Sequence, residues 1–368
     1  MRYSAFMAMV LMIISDGCVE KLEVPVTGSI ARLVVDGFIT DDPGPYRVRL
    51  FLSAPMTSDV DRPVYVSGAV VTIRDDQGNE EQLTEIRQGV YETHPAGIRG
   101  VVGRSYQLAI TTAEEKQYSS GWEKMTPAGE VQDLYFEFKE NVINANDLSL
   151  PQDAFTVFVD ARGDEASSGL LRWRWTGTYR IKTFPELHER FDDVARAFVP
   201  DPLPCSGYIF DVGQLIQVDT CVCCDCWLKH FSGNALVSDP AYVQGRTFRR
   251  VQIAQIPVDK KLFYEKYHIE VEQLSLGEEV YRFWHLLDVQ EESTGNIFQP
   301  NIVKVKGNVV SITDPEEEVF GIFAVSAIAR KSIFINRSDI PKLVPPIDVV
   351  KGDCRQYPTA DNIEPPFW

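Results

Sequence analysis

Leu171-Arg172-Trp173-Arg174-Trp175-Thr176-Gly177-Thr178-Tyr179-Arg180-Ile181-Lys182 is the stretch of the 368-residue chain that decides its fold. Successive side chains of a strand point to opposite faces, so Leu171, Trp173, Trp175, Tyr179 and Ile181 share one face. Arg172, Arg174, Arg180 and Lys182 share the other. The apolar face predicts a sheet packed on a core. The cationic stripe has two readings: a surface for an anionic ligand, or a solvated face paired with Asp or Glu of neighbouring strands, which carries the greater weight.

Working outward, Asp133–Glu140, Phe155–Val159, Thr247–Ile256 and Tyr267–Gln273 read as further strands, and the polar stretch Asn141–Gln152 as a loop. Pro185–Phe198 has helix-forming composition with Pro near its start and is expected to leave the sheet as a helical excursion. The one well-marked helix follows Ser275 and Glu278, read as a capping box, with Val280, Phe283, Trp284 and Leu287 in one apolar stripe. It should dock on the second sheet. Ile302–Lys306, Val309–Ile312 and Phe320–Ala329 are expected to complete that sheet, and the chain from Arg337 onward is proline-punctuated and irregular.

Towards the N-terminus, Leu33, Val35 and Gly37 alternate with Val34, Asp36 and Phe38. Asp41-Asp42-Pro43-Gly44-Pro45 then breaks the run before Tyr46, Val48, Leu50 and Leu52. Ala69–Arg74, Gln82–Ile86, Gly89–Tyr91 and Tyr106–Thr111 continue the pattern of short strands and turns. The fold expected is mainly β: an N-terminal immunoglobulin-like or transthyretin-like β-sandwich, then a larger β-sandwich domain with one or two helices and a cysteine-rich insertion. In residue numbers this gives a signal peptide 1–17, a tether 18–30, a first sandwich 31–130, a second β domain 131–336 with its insertion at 183–240, and a tail 337–368.

The start of the chain follows the grammar of a lipoprotein signal. Arg2 precedes an apolar run, Met7 to Ile14, far shorter than the ~20 residues that span a bilayer, and Gly17 precedes Cys18. Cys18 is therefore the expected lipidation site, two acyl signals being what stable anchoring takes. With Cys18 set aside, six cysteines remain: Cys205, Cys221, Cys223, Cys224, Cys226 and Cys354. Disulfides in an oxidising compartment are the leading reading, with connectivity open. Cys221, Cys223, Cys224 and Cys226 as soft metal ligands, or as a redox centre, are the alternatives.

A net charge of −17, from 53 acidic against 36 basic residues, argues against a nucleic-acid partner. No nucleophile elbow, zinc motif, phosphate-binding loop or dinucleotide fingerprint occurs, so no catalytic residue is assigned and no cofactor is expected. His94, His188, His230, His268 and His285 lack metal-binding spacing. Trp122, Trp227 and Trp368 could furnish a recognition platform but read first as packing residues.

Several stretches together resemble the DUF4249 lipoproteins of Bacteroidota. They are Leu33–Asp41 with Gly44–Leu50, Val66–Ile73, Gly89-Val90-Tyr91, Val102–Tyr106, Arg172–Trp175, Tyr281–Trp284, Ile297-Phe298, Gly307-Asn308 and Phe320–Phe323. The resemblance covers most of the chain, and the cysteine cluster carries no part of it. It implies an outer-membrane lipoprotein found beside TonB-dependent receptors, with no catalytic residues to carry over. On that footing the expected function is a non-enzymatic accessory protein, anchored in the outer membrane by lipid on its periplasmic or exterior face, that captures ligand with a TonB-dependent transporter. The alternatives are a structural or adhesive envelope sandwich, and a metal or redox protein using the cysteine cluster.

Overall fold

The structure is a computed structural model that describes residues 31–53, 63–142, 151–233, 235–293 and 305–368. The signal segment, Cys18, the tether and Ile297-Phe298 lie outside the described residues. Among those described, no helix is long and apolar enough to cross a membrane.

The first sandwich has two six-stranded sheets. Leu33–Thr40 pairs antiparallel with Arg47–Leu52, placing Leu33 opposite Leu52 and Val35 opposite Leu50. Val90–Glu92, Thr84–Arg87 and Val64–Tyr65 extend that sheet. The facing sheet is built on Val70–Asp75, Ser105–Thr111 and Gln117–Ser120. Alternation turns Val35, Ile39, Val48 and Leu50 inward against Val71, Ile73, Tyr106 and Leu108.

Val309–Ser311 and Phe320–Ser326, expected in the second sheet, complete the first sandwich instead. Phe320–Ser326 runs parallel to Leu33–Thr40, with Val35 opposite Gly321 and Ile39 opposite Val325. Val309–Ser311 pairs antiparallel with Gln117–Ser120. Phe323 and Val325 fill the core between the first two sheets. Gly321, at φ +85°, permits the close approach, because a Cβ there would stand 1.9 Å from the Val35 carbonyl oxygen. Of Ile302–Lys306, the described part, residues 305–306, forms no strand.

In the second sandwich Leu171–Lys182 is central as its alternation requires. It lies between Asp225–Phe231 and Lys266–Ser275, and Ile328–Asn336 follows at the edge. Leu171, Trp173, Tyr179 and Ile181 face a three-stranded sheet of Glu130–Val142, Gln152–Arg162 and Thr247–Pro257 across one core. Trp175 on the same face is half-buried. Burying side chains of this size stabilises by ~1.5–3 kcal/mol each.

The chain passes between sandwiches at Ala327, where one strand ends at Ser326 and the next begins at Ile328. Polar groups clamp the crossing. Asp41 Oδ1 accepts the Ile328 N–H at 2.9 Å and Ser275 Oγ accepts the Ala327 N–H at 3.0 Å. Arg330 donates to Asp42 of the first sandwich and Glu272 of the second, at 2.8 Å each. Gln273, wholly buried, accepts from Trp173 Nε1 at 2.9 Å and donates to the Ala128 carbonyl at 2.7 Å.

Two helical expectations change. The marked helix spans Glu278–Ser293, but Ser275 does not cap it; its hydroxyl donates to the Thr126 carbonyl and accepts from Ala327. Nor does the helix rest on the second sheet alone. Val280 packs with Ile322 of the first sandwich and Val237 of the second, so the helix straddles both. Pro185–Phe198 holds a single 3-10 turn, Pro185–Leu187, then a hairpin of Glu189–Asp192 and Ala197–Pro200. Asp192 Oδ1 accepts the N–H groups of Val194 and Ala195 at 2.9 and 2.8 Å, an Asx turn that reverses the chain where a helix would have continued.

Candidate interaction surface

All six remaining cysteines stand in pairs at disulfide distance. Cys205 meets Cys223 with sulfurs 2.06 Å apart, Cys221 meets Cys224 at 2.01 Å, and Cys226 meets Cys354 at 1.92 Å. The adjacent Cys223 and Cys224 thus reach different partners, and Cys354 pins the tail to the Asp225–Phe231 strand. The four sulfurs of Cys221, Cys223, Cys224 and Cys226 stand in three separate pairs rather than in one group of four. Among the described residues one group brings three metal-binding atoms together, Cys205, Cys223 and Asp353, and both of its sulfurs are paired with each other.

The insertion is made of two ribbons, the hairpin of Glu189–Asp192 with Ala197–Pro200 and a second of Tyr208–Asp211 with Gln214–Gln217, and the Cys205–Cys223 pair brackets the second. Phe191 opposes Phe198 on the first, their rings 5.5 Å apart edge-to-face. Ile209 opposes Ile216 and Phe210 opposes Leu215 on the second. Neighbouring pairs in a ribbon point to opposite faces, so the second ribbon carries apolar groups on both. All six of these side chains are exposed. Each tip adds a valine almost wholly in solvent, Val194 at 96 % and Val212 at 92 %. Val212 and the following Gly213 have φ of +45° and +78°, the sign pattern of a tight hairpin turn. A β-branched residue is strained in that region, so an exposed valine is held where glycine or asparagine would be easier.

The insertion is acidic around this apolar centre. Between Thr183 and Val222 stand Glu186, Glu189, Asp192, Asp193, Asp201, Asp211 and Asp219, against Arg190 and Arg196. Reading the segment as a helix hid the surface. The signal that could have found it is Asp211-Val212-Gly213-Gln214, a turn between two β-prone runs.

Two residues of the cationic stripe pair with carboxylates. Arg174 pairs with Glu272, and Arg180 pairs with Asp225 at 2.9 Å and Glu265 at 3.0 Å. Arg172 lies over the Trp284 ring, 3.5 Å from its centroid. Trp227 is buried and meets Trp368 edge-to-face at 6.3 Å, while Trp122 stays half in solvent beneath the Arg74 guanidinium. The histidines serve separate local contacts. His268 stacks on Phe367 with centroids 4.2 Å apart, and burial beside Lys266 pushes its pKa down to about 4, so it is neutral. His230 sits between Tyr179 and Tyr267, its pKa also lowered by burial. His285 stacks on Tyr281, His188 contacts the Asp201 carbonyl, and His94 accepts from the Ala96 N–H.

Comparison with curated proteins finds no match. A family model described as a domain of unknown function (DUF4249) matches residues 19–332, from before the first sandwich to within the last strand of the second. With so much of the chain covered, the protein belongs to the DUF4249 family.

Proposed function

We propose that the protein is a non-enzymatic accessory lipoprotein of the outer membrane, tethered by lipid on Cys18, that docks on a TonB-dependent transporter through its stapled double hairpin. The observation that carries this reading is the apolar surface of the two ribbons. Isolated two-stranded ribbons are marginal in water, and exposed apolar patches rimmed by polar groups mark interaction sites. The Cys205–Cys223 link restrains the second ribbon without a core of its own, which lowers the entropic cost of docking. The acidic rim favours a protein partner with basic groups around an apolar face, and disfavours the anionic headgroups of a membrane surface.

The test is capture of tagged protein from its native membranes in mild detergent, with mass spectrometry of what stays bound. Three forms are compared: wild type, Cys18→Ala, and a hairpin variant carrying Phe191→Ser, Phe198→Ser, Ile209→Ser and Ile216→Ser. The reading expects a large TonB-dependent barrel with wild type and its loss with the hairpin variant, whose unchanged melting temperature shows that the sandwiches are intact. A Cys18→Ala form recovered in the soluble fraction supports the anchor. Full retention of the barrel by the hairpin variant, or capture of surface adhesion components in its place, overturns the docking assignment.

A further inference from the structure

Three arginines gather around the loop after the Gln152–Arg162 strand. Arg162, Arg246 and Arg249, with Gln132, Thr247 and Glu165, line a pocket of about 470 Å³. Two backbone-anchored loops form it. The Gly163 N–H donates to the Arg246 carbonyl at 2.8 Å, and Arg246 Nε donates to the Ser167 carbonyl at 3.1 Å. Arg246 is held at φ +47°, a left-handed conformation uncommon for a residue other than glycine, asparagine or aspartate. Strain of this kind clusters where structure serves a ligand.

Charge at the pocket runs against the net charge of the molecule. Three guanidinium groups meet one lining carboxylate, in a chain of net charge −17. That carboxylate, Glu165, is 84 % exposed and 3.2 Å from Arg162, an exposed pair of ~0–1 kcal/mol that an incoming anion displaces at little cost. Arg249 pairs at 2.9 Å with Asp160, and its side chain stays 62 % exposed.

We propose that this pocket binds a small polyanion through carboxylate or phosphate groups. Guanidinium forks match both groups in bidentate geometry, and a locally positive concavity in a negative protein concentrates such ligands. A neighbouring cleft of about 700 Å³ shares Arg162, Gly163 and Glu165 and is bordered by Asp41, Glu130 and Asp164. Its carboxylates repel an anion, so the charged head sits among the three arginines and any extension toward the cleft is neutral or cationic.

The pocket is separate from the hairpins, and its test needs no partner, so the two readings fail independently. Citrate and inorganic phosphate are titrated calorimetrically, at low ionic strength, into wild type and three variants: Arg249→Gln, Arg162→Gln, and the stripe double variant Arg174→Gln with Arg180→Gln. The expected result is saturable binding of at least one probe, weakened about tenfold by Arg249→Gln and by Arg162→Gln, each removing charged hydrogen bonds, and unchanged in the stripe variant. The stronger probe identifies the group recognised. No saturable binding of either probe, or equal weakening in the stripe variant, overturns the site; equal weakening would mean attraction by general charge only.

Discussion

Glu123 is the carboxylate whose replacement should do most to alter how the protein's stability depends on pH. It lies on the short strand Glu123–Lys124 of the first sandwich, 9 % exposed, against the start of the Glu278–Ser293 helix. A Cβ on Gly277 would fall 1.5 Å from its Oε1, so the carboxyl rests directly on the chain at the helix start. A helix N-terminus ordinarily favours negative charge. Here burial opposes ionisation, and Glu279 and Glu278 beside it add repulsion, raising the pKa from the ordinary 4.5 to about 7.

The sign follows from linkage. A carboxyl that holds its proton more tightly folded than unfolded contributes stability fully present below pH 4.5 and lost as pH rises through about 7. At 1.36 kcal/mol per pKa unit, the ionised group costs about 3 kcal/mol above that range. Urea unfolding of wild type and Glu123→Gln at pH 5, 6, 7 and 8.5 isolates the effect, since every other titration is common to both. The difference in unfolding free energy should shift by about 2.5 kcal/mol in favour of the variant between pH 5 and pH 8.5, part of the effect being already lost at pH 5. Glu279→Gln should flatten the wild-type profile in the same direction by a smaller amount. Parallel profiles for wild type and Glu123→Gln would refute the reasoning, because they would mean that Glu123 titrates alike in both states.

Replacing Cys226 and Cys354 together by alanine opens a link spanning 128 residues, and should cost about 4 kcal/mol in urea unfolding and expose the tail to protease. Removing the Cys221–Cys224 pair, three residues apart, should cost far less by the same measurement. Arg330→Met breaks the bridge from Asp42 to Glu272; it should lower stability by about 1–2 kcal/mol and split the calorimetric transition as the sandwiches uncouple. Gly177→Ala would bring a Cβ within 1.9 Å of Tyr267 Oη, and Tyr267 is fully buried, so a loss of about 3 kcal/mol in thermal unfolding is expected.

Strands were readable in this chain wherever one face had to meet a core. Leu171, Trp173, Tyr179 and Ile181 announce their sheet because an inward position in a sandwich accepts little except bulky apolar groups. Which sheet a strand joins is a different quantity. Phe320–Ser326 has the pattern of any half-buried strand, and its parallel pairing with Leu33–Thr40 is set by the volume of Phe323 and by Gly321, contacts that span most of the chain and leave no turn signature. The cysteine pairing lay beyond reach for the same reason, since spacing alone leaves the connectivities equivalent. Arg162, Arg246 and Arg249 are each unremarkable in sequence, and only the folding of two loops onto each other makes them one site.

The hairpins show the opposite relation between pattern and packing. Composition favoured a helix over Pro185–Phe198, and a helix with one apolar stripe would have returned Phe191 and Phe198 to the protein. The Asx turn at Asp192 commits the segment to a ribbon, and a ribbon has no third layer in which to hide them. Both sandwiches already have complete cores from other residues, so the exposed phenylalanines, isoleucines and valines do not reflect a protein too small to bury its apolar groups. The Cys205–Cys223 link brackets the second ribbon, and Cys226–Cys354 ties the strand that follows the insertion to the tail. A segment that presents its apolar side chains to solvent in this way has the physical form of a docking element, and under the proposed function its missing layer is the surface of another molecule.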